Sequence, residues 1–316
     1  MMGFLFRRLL QSVLVVAVMS ALVFFGVFVI GNPADILIDP EATQLERLEA
    51  IRTLGLDQSV WVQYGHFVSN ALRGEMGRSF VYNQPALELI LERLPATLEL
   101  ATTALLLALL LGVPLGLWAG ARPKSLPGRA IQTGAILGVS FPSFWQGLML
   151  VLVFSVLLGW LPSSGRGNGP LWSWDRFSHL ILPALNLALF KISLVTRLTA
   201  NAMREALTMD YIDYARSKGV ASTRILAVHA LKNVMVPVLT VTGMEFGGLI
   251  AFAVVTETVF AWPGMGKLIV DSIAVLDRPV IVAYLMVVVV IFITINLVVD
   301  LLYSALDPRV RLDQAR

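Results

Sequence analysis

Six ionisable residues stand in or at the ends of otherwise apolar stretches of this chain: Glu99, Lys191, Arg197, Glu245, Glu257 and Asp300. A charge near a bilayer centre costs at least about 2.5 kcal/mol, so such a group faces a partner, water or a solute. Lys191 and Arg197 are six residues apart, which on a helix sets them well round from one another. Glu245 lies in GMEFGG, where Gly243, Gly247 and Gly248 allow another helix to approach closely. Its desolvation must be offset by a cation, a donor or water. Glu245, Lys191 and Arg197 are therefore candidates for lining a solute path. A hydrogen bond that ties two helices together is the other use of such a carboxylate. Glu257 and Asp300 fall near run ends, where snorkelling or subunit contacts account for them.

Other chemistry finds little support. His66, His179 and His229 are scattered, with no HExxH pair, and no G-x-S-x-G elbow is present. No metal site is expected, and with no cysteine neither a disulfide nor a thiolate ligand exists. The stretch AWPGMGKL has Ala261 where a phosphate-binding loop needs its first glycine, and leucine after Lys267, so ATP is not bound by that motif. It reads instead as a turn outside the fifth apolar run, a short re-entrant piece with an interfacial tryptophan, Trp262.

The stretch DYARSKGVASTRILAVHALKNVMVP, from Asp213 to Pro237, is a charged segment wedged between two apolar runs. Ile225, Leu226, Val228 and Leu231 recur at helical spacing opposite Arg224, His229 and Lys232, which predicts an amphipathic helix projecting into water. Gly219 permits a sharp turn ahead of it.

These residues must be positioned by membrane spans. Of 316 residues, 57% are hydrophobic and 14% charged, with a mean hydropathy of +0.78. A span needs about 20 mainly apolar residues. Six runs qualify, roughly 9–30, 94–120, 130–161, 180–203, 233–260 and 280–303. Pro114, Pro142 and Pro183 predict kinks within them. The expected fold is all-α, a polytopic membrane protein with six transmembrane helices in a single domain over 1–316. Basic residues concentrate on the side of the N-terminus, notably in the short loop ARPKSLPGR, which predicts both termini inside. The net charge of +3 is this bias and points to no nucleic acid. The first run is too long, and lacks the cleavage site, to be a removable signal peptide. The loop over 31–93 is the sizeable outer piece, with a short amphipathic helix in ATQLERLEAIRTLGL and glycine breakers at Gly74 and Gly77. A solvated cap and a docking surface both fit it.

Five stretches in order, GLDQSVWVQYGHFVSNALRGEMGRSF, SFPSFWQGLMLVLVFSVLLGWLPSSG, DYIDYARSKGVASTRILAVHALKNVMVPVLT, ETVFAWPGMGKLIVDSI and NLVVDLLYSALDPRVR, resemble the oligopeptide/dipeptide-type permease subunits of bacterial ABC importers. The match is to the member with a long first periplasmic loop, over nearly the whole chain. The resemblance implies the type I importer fold, with five spans over 94–303, a cytoplasmic ATPase-docking loop over 204–232 and a cytoplasmic tail over 304–316. Two short helices meet at a glycine in that loop, which places Asp213, Tyr214, Ala215, Arg216, Lys218, Gly219 and Arg224 at the ATPase. The segment starts Asp-Tyr-Ala rather than Glu-Ala-Ala. Arg197 matches a basic family position, but the arginine usually found three residues on is Ala200 here.

The role this resemblance implies is that of a non-catalytic subunit in the bacterial inner membrane, surrounded by lipid and paired with a second, different permease. Two ATPase subunits would bind ATP and Mg, leaving no cofactor on this chain. A periplasmic or lipid-anchored binding protein would deliver peptides or similar small polar solutes. A stand-alone secondary transporter or channel is the rival class, and an intramembrane enzyme using Glu99, Glu245, Glu257 and Asp300 is a third.

Overall fold

The computed structural model describes residues 2–29, 43, 45, 52, 57–170 and 172–306, and all its regular elements are helices. The amphipathic helix expected over 42–56 lies outside them save for three isolated positions, as does the tail beyond 306. The described helices are α1 (Met2–Val29), α2 (Val60–Leu72), α3 (Ala86–Ala121), α4 (Leu126–Ser140) and α5 (Ser143–Leu157). They continue with α6 (Trp174–Leu207), α7 (Asp210–Ser217), α8 (Ser222–Val259), α9 (Met265–Ala274) and α10 (Arg278–Leu306). Among them α1, α3, α6, α8 and α10 are each long and apolar enough to cross a membrane, and α4 with α5 make a sixth span if taken as one.

That bent pair departs from the expectation of one kinked span over 130–161. α4 and α5 meet at 105°. Steric conflict with a proline ring drives the preceding residue out of the helical region. Phe141 accordingly sits at φ −96°, ψ 139°, and Pro142 is itself extended. Pro114 and Pro183 lie within unbroken helices.

The chain divides into two compact units. The first takes Met1–Arg93 and Leu268–Leu297. In it α1 packs on α2 through Phe24, Phe25, Trp61, Tyr64 and Phe67, with Ser20 and Tyr64 hydroxyls 2.8 Å apart. The loop after α2 closes on itself where Ser79 N–H donates to the Gln84 carbonyl at 2.8 Å. The Ser79 hydroxyl also donates to the buried Asp277 carboxylate.

The second unit takes Leu94–Lys267 and Val298–Arg316. Here α3 lies against α6 along Gly112, Gly116 and Gly120, four residues apart and so on one face. A Cβ on Gly116 would stand 2.5 Å from Thr199 Cβ, and one on Gly120 2.6 Å from Met203 Cβ. Small residues at this spacing let membrane helices approach until dispersion and Cα–H contacts hold them. Helix α6 carries the candidate lysine, and α8 packs along it and carries the candidate glutamate.

Candidate functional site

The charged segment between α6 and α8 begins with α7. Its Ile212 and Ala215 are buried in a core with Met203 and Ala206 of α6 and Ile225, Ala230 and Val234 of α8. Asp213, Tyr214, Arg216 and Lys218 are left exposed on the other side. Arg216 donates to Asp213 at 2.9 Å, and the Lys218 ammonium lies 4.6 Å from the Tyr214 ring centre. Ala215 thus uses its small size for packing inside this chain. The helix ends at Gly219 with φ +73°, where L residues with a side chain are strained. Gly219 N–H donates to the Arg216 carbonyl and Val220 N–H to the Ala215 carbonyl, the paired bonds of a Schellman stop. The next helix starts at Ser222, exposes Arg224, and runs without a break into the fifth span. Its turn over Ile225–Ala230 is π-wound, and this shifts the expected register: Ile225 is buried but Val228 is 56% exposed.

The intramembrane charges resolve into separate uses. Lys191 on α6 forms an ion pair with Glu245 on α8, joining the two helices within the unit. Lys191 is 6% exposed, whereas the Glu245 side chain is 36% exposed. Arg197 lies exposed, away from this pair, and has no partner among the described residues. Beside Lys191 is a cavity of about 320 Å³, bounded by the α4–α5 break and by faces of α6 and α8. Ser143, Gln146, Asn186 and Thr256 contribute its uncharged polar lining. Sequence reasoning passed over these four; the signal was an uncharged amide or hydroxyl in an apolar run, weaker than a charge.

Glu99 receives both Arg166 and Arg176, whose Nε atoms each donate at 2.9 Å. Two guanidinium groups on one carboxylate form a strong charge-assisted cluster. Glu257 is fully buried and accepts Thr97 Oγ1 at 2.6 Å and the Lys267 backbone N–H at 3.0 Å. The Lys267 bond caps α9, together with Met265 N–H donating to Thr97 Oγ1 at 2.9 Å, because the first N–H groups of a helix have no partner within it. The glycines of AWPGMGKL serve this cap: a Cβ on Gly264 would fall 2.3 Å from the Glu257 carboxylate, and one on Gly266 2.9 Å from it. The turn thus wraps a carboxylate of its own chain. Trp262, expected at the interface, is instead fully buried, and its Nε1–H donates to the Ala96 carbonyl at 2.9 Å. A buried indole N–H needs such an acceptor, and the wound end of the fifth span supplies the position. Asp300 lies on α10, with its side chain outside the described residues. Among the described residues, no group of three His, Cys, Asp or Glu side chains is placed to hold a metal ion.

Residues 112–312 match the family described as "Binding-protein-dependent transport system inner membrane component", and residues 1–101 match its N-terminal counterpart. The chain is 39% identical over 313 residues to the glutathione transport system permease protein GsiC of Escherichia coli (strain K12), covering 98% of this chain and 99% of that one. It is 38% identical over 312 residues to the protein of the same name from Salmonella choleraesuis (strain SC-B67). Its fold is similar to a solved structure of the MetNI methionine ABC transporter in inward-facing conformations, with a TM-score of 0.58, 16% identity and coverage of 71% of this chain and 98% of that one. The all-α, multi-span architecture is therefore that of an importer permease. The chain belongs to the family of binding-protein-dependent transport system inner membrane components, as the membrane-spanning permease subunit of such an importer.

Proposed function

We propose that this chain is one of two different permease subunits in an ATP-binding-cassette importer that takes up peptides or similar small polar solutes. The observation that carries the reading is α7. Its apolar side is consumed by packing within the chain, while its charged side stands bare beside a glycine stop between two spans. Such an element suits a protein partner, and Asp213, Tyr214, Arg216, Lys218, Gly219 and Arg224 form the surface for an ATPase. Ala215 supports that surface from beneath.

In this reading ATP and Mg are bound by two partner ATPases, and the chain performs no catalysis. Glu99, Glu245 and Glu257 already serve as structural acceptors. Residues 1–316 act as one permease domain in the bacterial inner membrane, with both termini cytoplasmic and the loop over 31–93 periplasmic. A periplasmic or lipid-anchored binding protein delivers solute to the outer face. Lys191 and Glu245 line the solute path, and Arg197 contributes from a different face of α6. The peptide class is supported by 39% identity to a glutathione permease along the whole chain.

The test is reconstitution of this chain with its partner permease, ATPases and binding protein in proteoliposomes loaded with ATP. Labelled dipeptide or glutathione uptake should require ATP hydrolysis and the binding protein. Uptake that persists without ATPases would instead make the chain a secondary transporter or channel.

A further inference from the structure

The cavity beside Lys191 has the makings of a ligand site that its pairing with Glu245 does not explain. Its volume, about 320 Å³, falls at the small end of the ~300–1,000 Å³ usual for ligand pockets. Asn186 lines it at 2% exposure. The Asn186 amide donates to Thr256 Oγ1 at 2.9 Å, but its carbonyl Oδ1 is buried with no partner among the described residues. A buried acceptor left unpaired costs about 1–3 kcal/mol, and an N–H brought by a ligand would recover it. Leu249 and Phe252 supply an apolar wall.

The second observation is the asymmetry of the ion pair. Lys191 is nearly sealed from solvent, while Glu245 is more than a third exposed. Stripping a buried ammonium of its carboxylate partner is costly, but exchanging one carboxylate for another preserves the pairing at every stage. Glu245 has an open side to turn towards, and Lys191 has almost none. Gly248 leaves the pair unobstructed, since even an added Cβ there would stand 3.8 Å from Glu245 and 4.0 Å from Lys191.

We propose that this cavity is a subsite for the carboxylate-bearing end of a peptide, and that Lys191 and Glu245 form a clasp the ligand opens by replacing Glu245 on the Lys191 ammonium. The ligand's free carboxylate pairs with Lys191, a neighbouring backbone N–H meets Asn186 Oδ1, and an apolar side chain lies against Leu249 and Phe252. A peptide whose C-terminus is amidated has no charge to offer and cannot open the clasp. The inference rests on the reading of the chain as a peptide permease and assigns one end of its substrate to one place.

Photocrosslinking in the whole importer tests it, with all subunits in lipid nanodiscs. The probes are alanyl-benzoylphenylalanine and its C-terminal amide. The free acid is expected to crosslink to Gln146, Leu249 or Phe252, and the amide at least about tenfold less, within what one charge-assisted bond supplies. Lys191→Gln should bring the acid-to-amide ratio towards one. Glu245→Gln should raise it, because the competing carboxylate is gone. Crosslinks elsewhere on the chain, or equal yields from acid and amide, overturn the subsite. Should Lys191→Gln fail to assemble, Glu245→Gln decides alone, and an unchanged ratio overturns the clasp. If the complete system takes up neither peptide with ATP, the peptide-permease reading fails and the subsite with it. Uptake with crosslinks elsewhere removes the subsite only.

Discussion

Two ion pairs of one compact unit differ in what surrounds them. Asp213–Arg216 on α7 joins residues one helical turn apart, and both side chains are more than half exposed. Lys191–Glu245 joins two helices between apolar runs, and the lysine is buried. Water screens the first pair, so each partner is nearly as well solvated alone as together. The second pair has no such alternative, and removing one partner leaves an uncompensated charge. The exposed pair is free to exchange its partner for another protein at little cost. The buried pair holds its helices unless something of equal charge takes over.

The largest effect should come from breaking the buried pair on one side. Lys191→Leu is expected to destabilise the subunit by roughly 3 kcal/mol, at the low end for a buried pair because Glu245 is partly exposed. Thermal unfolding of the purified complex reads this directly. Lys191→Met with Glu245→Met should recover most of the loss, since two apolar groups of matched volume leave nothing unpaired. A double variant no more stable than Lys191→Leu would mean the pair is not what joins α6 to α8.

A smaller effect is expected at the glycine stop. A side chain at φ +73° costs about 1–2 kcal/mol, and no neighbouring atom lies within 4 Å of an added Cβ, so strain alone decides. Gly219→Val should weaken ATPase capture in a pull-down and lower ATP-driven uptake. Gly219→Asn should retain most of both, because asparagine tolerates this backbone region. Equal behaviour of the two variants would shift the explanation from backbone strain to loss of a contact with the partner.

The smallest change in stability belongs to the exposed pair. Arg216→Ala should alter the unfolding midpoint by less than about 1 kcal/mol equivalent. Arg216→Glu should leave the subunit equally stable yet abolish ATP-driven uptake by reversing the charge shown to the ATPase. Full uptake by Arg216→Glu would remove α7 from the docking surface.

The spans were legible because apolar run length is a local property: over its described residues, each run expected for an unbroken span falls within a helix of the structure to within one residue. Gly219 was legible for a similar reason, as a lone glycine in a charged helical segment has few uses other than a stop. The Gly112, Gly116, Gly120 series went unread in the sequence, because which helix it meets is not written in α3. In the third run the kink at Pro142 was legible but its size was not, because hydropathy is uniform there and a 105° turn changes the path without changing the composition. Trp262 looked like an interfacial anchor until the fold brought the Ala96 carbonyl to it.

Composition and periodicity by themselves determined that this is a multi-span helical protein with a charged, glycine-hinged segment between two spans. The solvent in which each residue type is tolerated is set by its own chemistry, and that needs no knowledge of neighbours. Only the tertiary structure decided the partners of the charges: Lys191 with Glu245, Glu99 with Arg166 and Arg176, and Glu257 with Thr97 and the start of α9. Those residues are 10 to 160 positions apart in the chain. A charge in an apolar run announces that a partner must exist, but the partner's identity is fixed by which helices pack at which depth.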